Sequence, residues 1–356
     1  MTSRVTAGEF LGRETTVMRA SVLRGVHDLA VEERPVPEPD AAEVIVQVTA
    51  VGVCGSDIHY YEQGRIGRYV VDRPLVLGHE GGGVVVGVGT GVDPARLGRR
   101  VSIEPGVPCR QCARCLTGHY NLCRDVRFLA TPPYDGAFCQ YVAMPSAFVY
   151  DVPDSISDDA AGLLEPLSVG VWACRRAAVT VGSRVLVTGA GPIGLVTAQA
   201  ARAFGASEVV ITDVNAARLE LAATFGATAV DVSSTPLPSI GFEPDVLLEC
   251  SGHPAATAEA VRTVGKAGRV VLIGMGGDEI TLPLSFLQDQ ELVITGAFRY
   301  ANTWPTAITL AASGAVDLDR LVTGHYGLDE VERALTAPRT DPSTVKPMVV
   351  PQRRAG

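Results

Sequence analysis

Apolar and polar positions follow two different textures along the chain. From Met18 to about Val152 the apolar residues come in short runs rich in Val, Gly and Pro. Ala42-Glu-Val-Ile-Val-Gln-Val-Thr49 alternates with period two, as a half-buried strand does, and Gly83 to Thr90 reads as another strand. Pro35, Pro37 and Pro39 punctuate the loop ahead of the first. This half is predicted to be mostly β. Near Leu163 the texture changes. A helix is predicted over 168–178, then a strand over 184–188, a helix over 193–204, a strand over 208–213 and a helix over 216–225. Further strands follow over 245–249, 269–273 and 292–295. Continuous apolar strands alternating with helices describe a doubly wound parallel sheet. The tail adds helices over 305–312 and 328–337 and a last strand over 346–350.

The pattern predicts an α/β chain in which a β-rich domain is interrupted by a nucleotide-binding domain. The boundaries fall at 1–17 for a loose leader, 18–167 with 305–356 for the β-rich domain, and 168–304 for the dinucleotide-binding domain. Composition changes little: of 356 residues, 47% are apolar and 19% charged, ordinary for a globular protein. A net charge of −9 argues against nucleic acid, which wants clustered Lys and Arg. The first ten residues lack the apolar core of a secretory signal, and no apolar run nears the roughly 18 residues of a membrane helix. A cytoplasmic enzyme with no membrane partner is expected.

Gly189-Ala-Gly-Pro-Ile-Gly194 lies between a predicted strand and a predicted helix, the context that gives this motif meaning. Gly189 permits the tight turn, Gly191 lets backbone approach a pyrophosphate, and Gly194 lets helix and strand pack closely; Pro192 suits a helix start. Asp213, at the end of the next strand, can accept from the adenosine ribose hydroxyls and would repel a 2′-phosphate. NAD is therefore expected over NADP, with Arg218 the residue that would favour NADP.

Four of the eight cysteines fall within fifteen positions, as Cys109-x2-Cys112-x2-Cys115-x7-Cys123. Four thiolates at this spacing can close a structural zinc site, and the polar residues between them place the segment, 105–125, in a surface lobe. A second constellation is Cys54-Gly-Ser56-Asp57-Ile-His59-Tyr60 with Gly78-His79-Glu80-Gly81. Cys, His and a carboxylate can hold a zinc ion with one position open, yet such a trio also occurs as plain core.

The order of these pieces resembles the zinc-containing medium-chain dehydrogenase/reductase superfamily, and within it the sorbitol (L-iditol) and xylitol dehydrogenase branch. The resemblance rests on Val51 to Tyr60, Pro74 to Glu80, the four-cysteine lobe, Leu164-Glu-Pro-Leu-Ser-Val169 with the glycine turn, and Phe298 to Pro305. It implies a GroES-like β domain plus a Rossmann domain, usually tetrameric. It matches Cys54, His79 and Glu80 to catalytic zinc ligands, with Glu165 facing the same ion directly or through water. Ser56 and His59 match a proton relay, and Tyr60, Glu165, Arg299 and Tyr300 match polyol contacts. Ile193, Asp213, Arg218, Ile273, Met275, Phe298 and Arg299 match NAD contacts. The activity implied is transfer of hydride from a secondary hydroxyl of a linear polyol to NAD, with two zinc ions per chain and a polyol or ketose as the small-molecule substrate. Rival readings are a related dehydrogenase of amino alcohols, cyclitols or simple alcohols, and a non-catalytic protein that binds NAD and zinc.

Overall fold

The computed structural model describes residues 16–277 and 279–353. The leader predicted over 1–17 lies outside them except at its end, where Val17 already opens the strand Val17–Gly25. Two compact units form, Met1–Glu165 with Leu318–Gly356, and Pro166–Asp317.

In the first unit Glu43–Gly52 is the hub of a seven-stranded sheet. It pairs antiparallel with Glu80–Val88, Tyr141–Pro145 and Lys346–Val349. Arg100–Ile103 and then Val149–Asp151 extend one side, and Val322–Tyr326 extends the other. The hub strand is buried nearly throughout rather than on alternate residues. Val44, Val46 and Val48 enter the main core with Val85, Ile103 and Phe138, while Ile45 joins a second cluster with Val86 and Tyr141. Both faces of the sheet are covered, which is why alternation alone understated the burial.

The second unit carries six parallel strands in the order Thr228–Asp231, Glu208–Asp213, Arg184–Thr188, Val246–Glu249, Arg269–Leu272, Val293–Gly296. Numbered along the unit this is 3-2-1-4-5-6, the dinucleotide-binding order, in which ligands lie at the carboxyl ends of the strands. The α/β reading, β-rich plus doubly wound, therefore holds.

Pro254–Val261 and Leu284–Asp289 are helices that the sequence reading did not place, and two further differences bear on the site. The helix predicted from 168 begins at Asp158 and runs to Arg176, with Pro166 inside it. Proline usually ends a helix by removing a donor and crowding the preceding turn. Here Ala160, Ala161, Leu163, Leu164 and Leu167 are all buried, and tertiary packing of that face outweighs the local preference. The second helix, Gly55–Gln63, has no counterpart in the prediction. Its buried residues are Asp57, Tyr60 and Tyr61, a helical stripe whose first member is charged and so escapes an apolar pattern. Among the described residues no helix is long and apolar enough to cross a membrane.

Candidate metal centres and cofactor site

In the cysteine lobe the Sγ atoms of Cys112 and Cys115 lie 3.4 Å apart and those of Cys109 and Cys115 3.9 Å apart. A disulfide would need about 2.05 Å. Four sulfurs about 2.3 Å from one tetrahedral ion would sit about 3.8 Å from each other, and all four ligand atoms here fall within 4.8 Å of one another. Backbone N–H groups of Cys109 and Cys112 donate to the sulfurs of Cys123 and Cys109. The N–H of Cys115 and the neighbouring thiols pull Cys112 down, while burial and those same thiols push Cys115 up. The donor set fits zinc.

At the second centre, Cys54 caps the helix Gly55–Gln63 and His79 precedes the strand Glu80–Val88. The ligand atoms of Cys54, His79 and Glu80 also gather within 4.8 Å. Asp57, fully buried, ties the two segments together: one carboxylate oxygen accepts from the N–H of Cys54 at 3.0 Å, the other from the N–H of Gly78 at 2.9 Å. Its carboxylate also lies 3.9 Å from Nδ1 of His79. Glu80 is fully buried and both its oxygens accept from Nζ of Lys346, at 2.9 and 2.7 Å. That ammonium donates further to the carbonyl of Val53 at 2.9 Å. A carboxylate has about four lone-pair sites, so the pairing leaves Glu80 capacity for a metal.

Burial works against a charged His79, yet Cys54, Asp57 and Glu165 outweigh it and push the imidazole up to about 10. Burial likewise disfavours a charged Lys346, and Glu80, Cys54 and Glu165 reverse the sign and raise it. Four acidic side chains (Cys54, Asp57, Glu80 and Glu165) thus gather around this point against the two basic ones, His79 and Lys346, a donor set suited to a divalent ion. Glu104, almost fully buried nearby, accepts from the hydroxyls of Tyr120 at 2.7 Å and Tyr150 at 3.0 Å. Burial raises its carboxyl to about 7 against the pull of those two phenols, with Glu165 adding to the rise.

The glycine turn has the geometry its sequence implies. Gly189 adopts φ +84°, and a Cβ on Gly194 would stand 1.8 Å from the carbonyl oxygen of Gly189. Pro192 opens the helix Pro192–Ala203 behind Gly191 as its N-cap. Asp213 does more than the motif suggests: its carboxylate accepts from the N–H groups of Ala190 at 2.6 Å, Val214 at 2.7 Å and Asn215 at 2.9 Å. It therefore fastens the glycine turn as well as ending the second strand. Arg218 is half-buried on the helix that follows, and Ile193 and Ile273 are half-buried too, while Met275 and Phe298 are exposed.

Ser56 and His59 are half-buried on the helix Gly55–Gln63, and Tyr60 and Glu165 are buried. Arg299 has a left-handed backbone and its guanidinium lies 4.9 Å from the centroid of the Phe298 ring. Tyr300 is buried with its ring on Trp304, centroids 5.2 Å apart. The sequence reading gave no role to Asp57, Lys346, Glu104 or Glu249, whose partners are mostly remote along the chain.

Residues 40–154 match the alcohol dehydrogenase GroES-like domain and residues 192–313 the zinc-binding dehydrogenase domain. The chain is 44% identical to a sorbitol dehydrogenase of Bacillus subtilis over 94% of its length and 98% of the relative's. It is 44% identical to a sorbitol dehydrogenase of Homo sapiens, covering 89% and 90% of the two chains. Among solved structures, L-idonate 5-dehydrogenase of Escherichia coli superposes with a TM-score of 0.87 at 30% identity, over 94% and 98% of the chains. A short chain alcohol dehydrogenase of Escherichia coli complexed with NADH gives 0.88 at 30% identity, over 94% and 99%.

Proposed function

We propose, from the premise that this chain belongs to the zinc-containing medium-chain dehydrogenase/reductase superfamily in its sorbitol dehydrogenase branch, that it oxidises a secondary hydroxyl of a linear polyol to a 2-ketose. Membership makes it an NAD-dependent oxidoreductase; the polyol is the proposed step. The observation that carries it is the gathering of Cys54, His79 and Glu80 around one point on a scaffold 44% identical to sorbitol dehydrogenases.

Zinc at this centre supplies the positive charge that makes an alcohol more acidic, and the nicotinamide supplies the hydride acceptor. Cys54, His79 and Glu80 hold the ion, and Asp57 fixes the first two in place. Ser56 and His59 lie three residues apart on one helix and so share a face. Both are half-buried, so they reach from the buried centre toward water and carry the released proton outward. Glu165, buried and within electrostatic reach of His79, and Tyr60 meet the substrate hydroxyls; Arg299 and Tyr300 keep the polyol role that the resemblance gives them. The lobe of Cys109, Cys112, Cys115 and Cys123 holds the second, structural zinc. Asp213 favours NAD. The same reading takes the enzyme as a cytoplasmic homotetramer, which sedimentation would return as a mass of four chains.

The test is formation of NADH absorbance with a polyol panel varied in configuration at C2 and C4, set beside ethanol, a simple secondary alcohol, a cyclitol and an amino alcohol. Each buried polar group that a poorer substrate leaves unmet costs about 1–3 kcal/mol. Two such losses make kcat/KM for a simple alcohol lower by roughly one to four powers of ten. Preference for the simple alcohol, the cyclitol or the amino alcohol would overturn the polyol assignment.

A further inference from the structure

The cofactor site contains a buried carboxylate that the motif does not account for. Glu249 ends the strand Val246–Glu249 and is 2% exposed. Its Oε1 accepts from the N–H of Ser251 at 2.9 Å, the N–H of Gly252 at 3.1 Å and the hydroxyl of Thr188 at 3.2 Å, with the Ser251 hydroxyl as a fourth donor. Its Oε2 lies 3.3 Å from the same Gly252 N–H. Thr188 is the last residue before the glycine turn. The backbone carbonyl of Glu249 accepts from the N–H groups of Ile273 at 2.8 Å and Gly274 at 2.9 Å. One residue thus reaches the carboxyl ends of three neighbouring parallel strands.

Those three ends also touch each other without room to spare. A Cβ on Gly189 would lie 2.9 Å from Cα of Ser251, and one on Gly276 would lie 1.7 Å from the carbonyl oxygen of Gly252. Gly252 itself is left-handed at φ +65°. The segment Cys250–Gly252 is therefore wedged between the glycine turn and the segment 273–276, and its position sets theirs. Ser251 and Met275 are exposed, and Gly252, Gly189, Ile273 and Gly274 half-buried, while Glu249 and Thr188 beneath them are buried. Among the described residues no ion pair is formed by Glu249, so the carboxylate is held by hydrogen-bond donors alone. A buried charge satisfied in this way is costly to disturb, because every donor it leaves becomes an unmet group.

We propose that Glu249 is a positioning residue of the cofactor site, which holds the turn at Ser251 and Gly252 so that the glycine turn and the segment 273–276 keep the spacing that receives NAD. It acts beneath the site, through backbone N–H groups, and has no direct part in hydride transfer. The inference rests on the reading of the glycine turn as the NAD site.

The test compares the intact zinc-loaded enzyme with Glu249→Ala and Glu249→Gln, measuring the dissociation constant of NADH by its fluorescence together with zinc content and melting temperature. Loss of acceptors for two backbone donors is expected to weaken NADH binding about 100-fold in Glu249→Ala. Glu249→Gln keeps the volume and one acceptor oxygen, and is expected to weaken it about 10-fold. Both variants should keep two zinc ions, and at saturating NADH the KM for the ketose should stay at the unmodified value. A folded variant that binds NADH as the unmodified enzyme does overturns the proposal, as does a lower melting temperature with NADH affinity unchanged. If Glu249→Ala does not fold, Glu249→Gln decides by the same criterion. Failure of the unmodified enzyme to bind NADH would instead overturn the reading of the glycine turn.

Discussion

Replacing Lys346 by Met removes the ammonium that faces Glu80 while keeping most of the side-chain volume. Lys346 and Glu80 are both almost fully buried, and three hydrogen bonds from Nζ end on the two Glu80 oxygens and the Val53 carbonyl. Removing one partner of a buried pair leaves the other charge uncompensated and typically costs about 3–5 kcal/mol. For a unit of this size each kcal/mol lowers Tm by roughly 2–4 °C, so the metal-free variant should melt roughly 6–20 °C below the metal-free parent. Zinc offers Glu80 another positive charge, so the gap should narrow when the metal is restored. Scanning calorimetry with and without chelator, at one protein concentration, measures both gaps. Lys346→Arg keeps the charge and should recover part of the loss. Lys346→Met combined with Glu80→Leu removes both charges and should restore the metal-free Tm, because apolar replacement of a whole buried pair is often neutral. A metal-free single variant within 2 °C of the parent, or a double variant no better than the single, would refute the argument.

Three further outcomes are expected. Cys54→Ser should remove activity and one of two zinc ions from a folded protein, whereas Cys112→Ser should lose the other ion and mainly stability; metal analysis that finds one ion in the active parent would contradict both. Asp213→Ala should weaken NAD and narrow its advantage over NADP, since the variant loses the ribose acceptor together with the clamp on Ala190; equal kcat/KM for both cofactors in the parent would show that Arg218 prevails. Burial lifts Glu104 from 4.5 to about 7, so the native state holds its proton longer than the unfolded chain does. Stability should therefore fall as pH rises from about 4.5 to 7, and Glu104→Gln, which cannot ionise, should flatten that part of the profile. Identical pH–stability curves for Glu104→Gln and the parent would rule this out.

The glycine turn and the cysteine lobe were legible because their chemistry is written in adjacent residues. Gly189, Gly191 and Gly194 each answer a local demand of one strand–turn–helix, and four thiols within fifteen positions need little else to converge. Cys54 with His79 and Glu80 stood in the sequence as one of two open readings that only the resemblance decided between, since its segments meet by sheet pairing between Glu43–Gly52 and Glu80–Val88. Asp57 was on view inside its motif, but its task appears only when the helix Gly55–Gln63 and Gly78 come together. That helix escaped because its buried stripe begins with this acid.

Glu104, Glu249 and Lys346, which the sequence reading left without a role, share with Glu80 a feature that a sequence does display. Glu80 opens a strand, Glu104 follows one, Glu249 closes one and Lys346 opens one, and each adjoins a run of apolar residues. Where the strand carries such a charge into the interior, as it does these four and does not Glu208, the charge must find a partner there or cost several kcal/mol. Some partners lie far off, 266 residues away for the Glu80–Lys346 pair and 61 for Glu249 with Thr188, so no local pattern names these. Carboxyl ends of strands are also where parallel sheets gather their ligands, and Glu249 stands at such an end. A charged residue at the margin of an apolar strand therefore marks a position to examine before its partner is known.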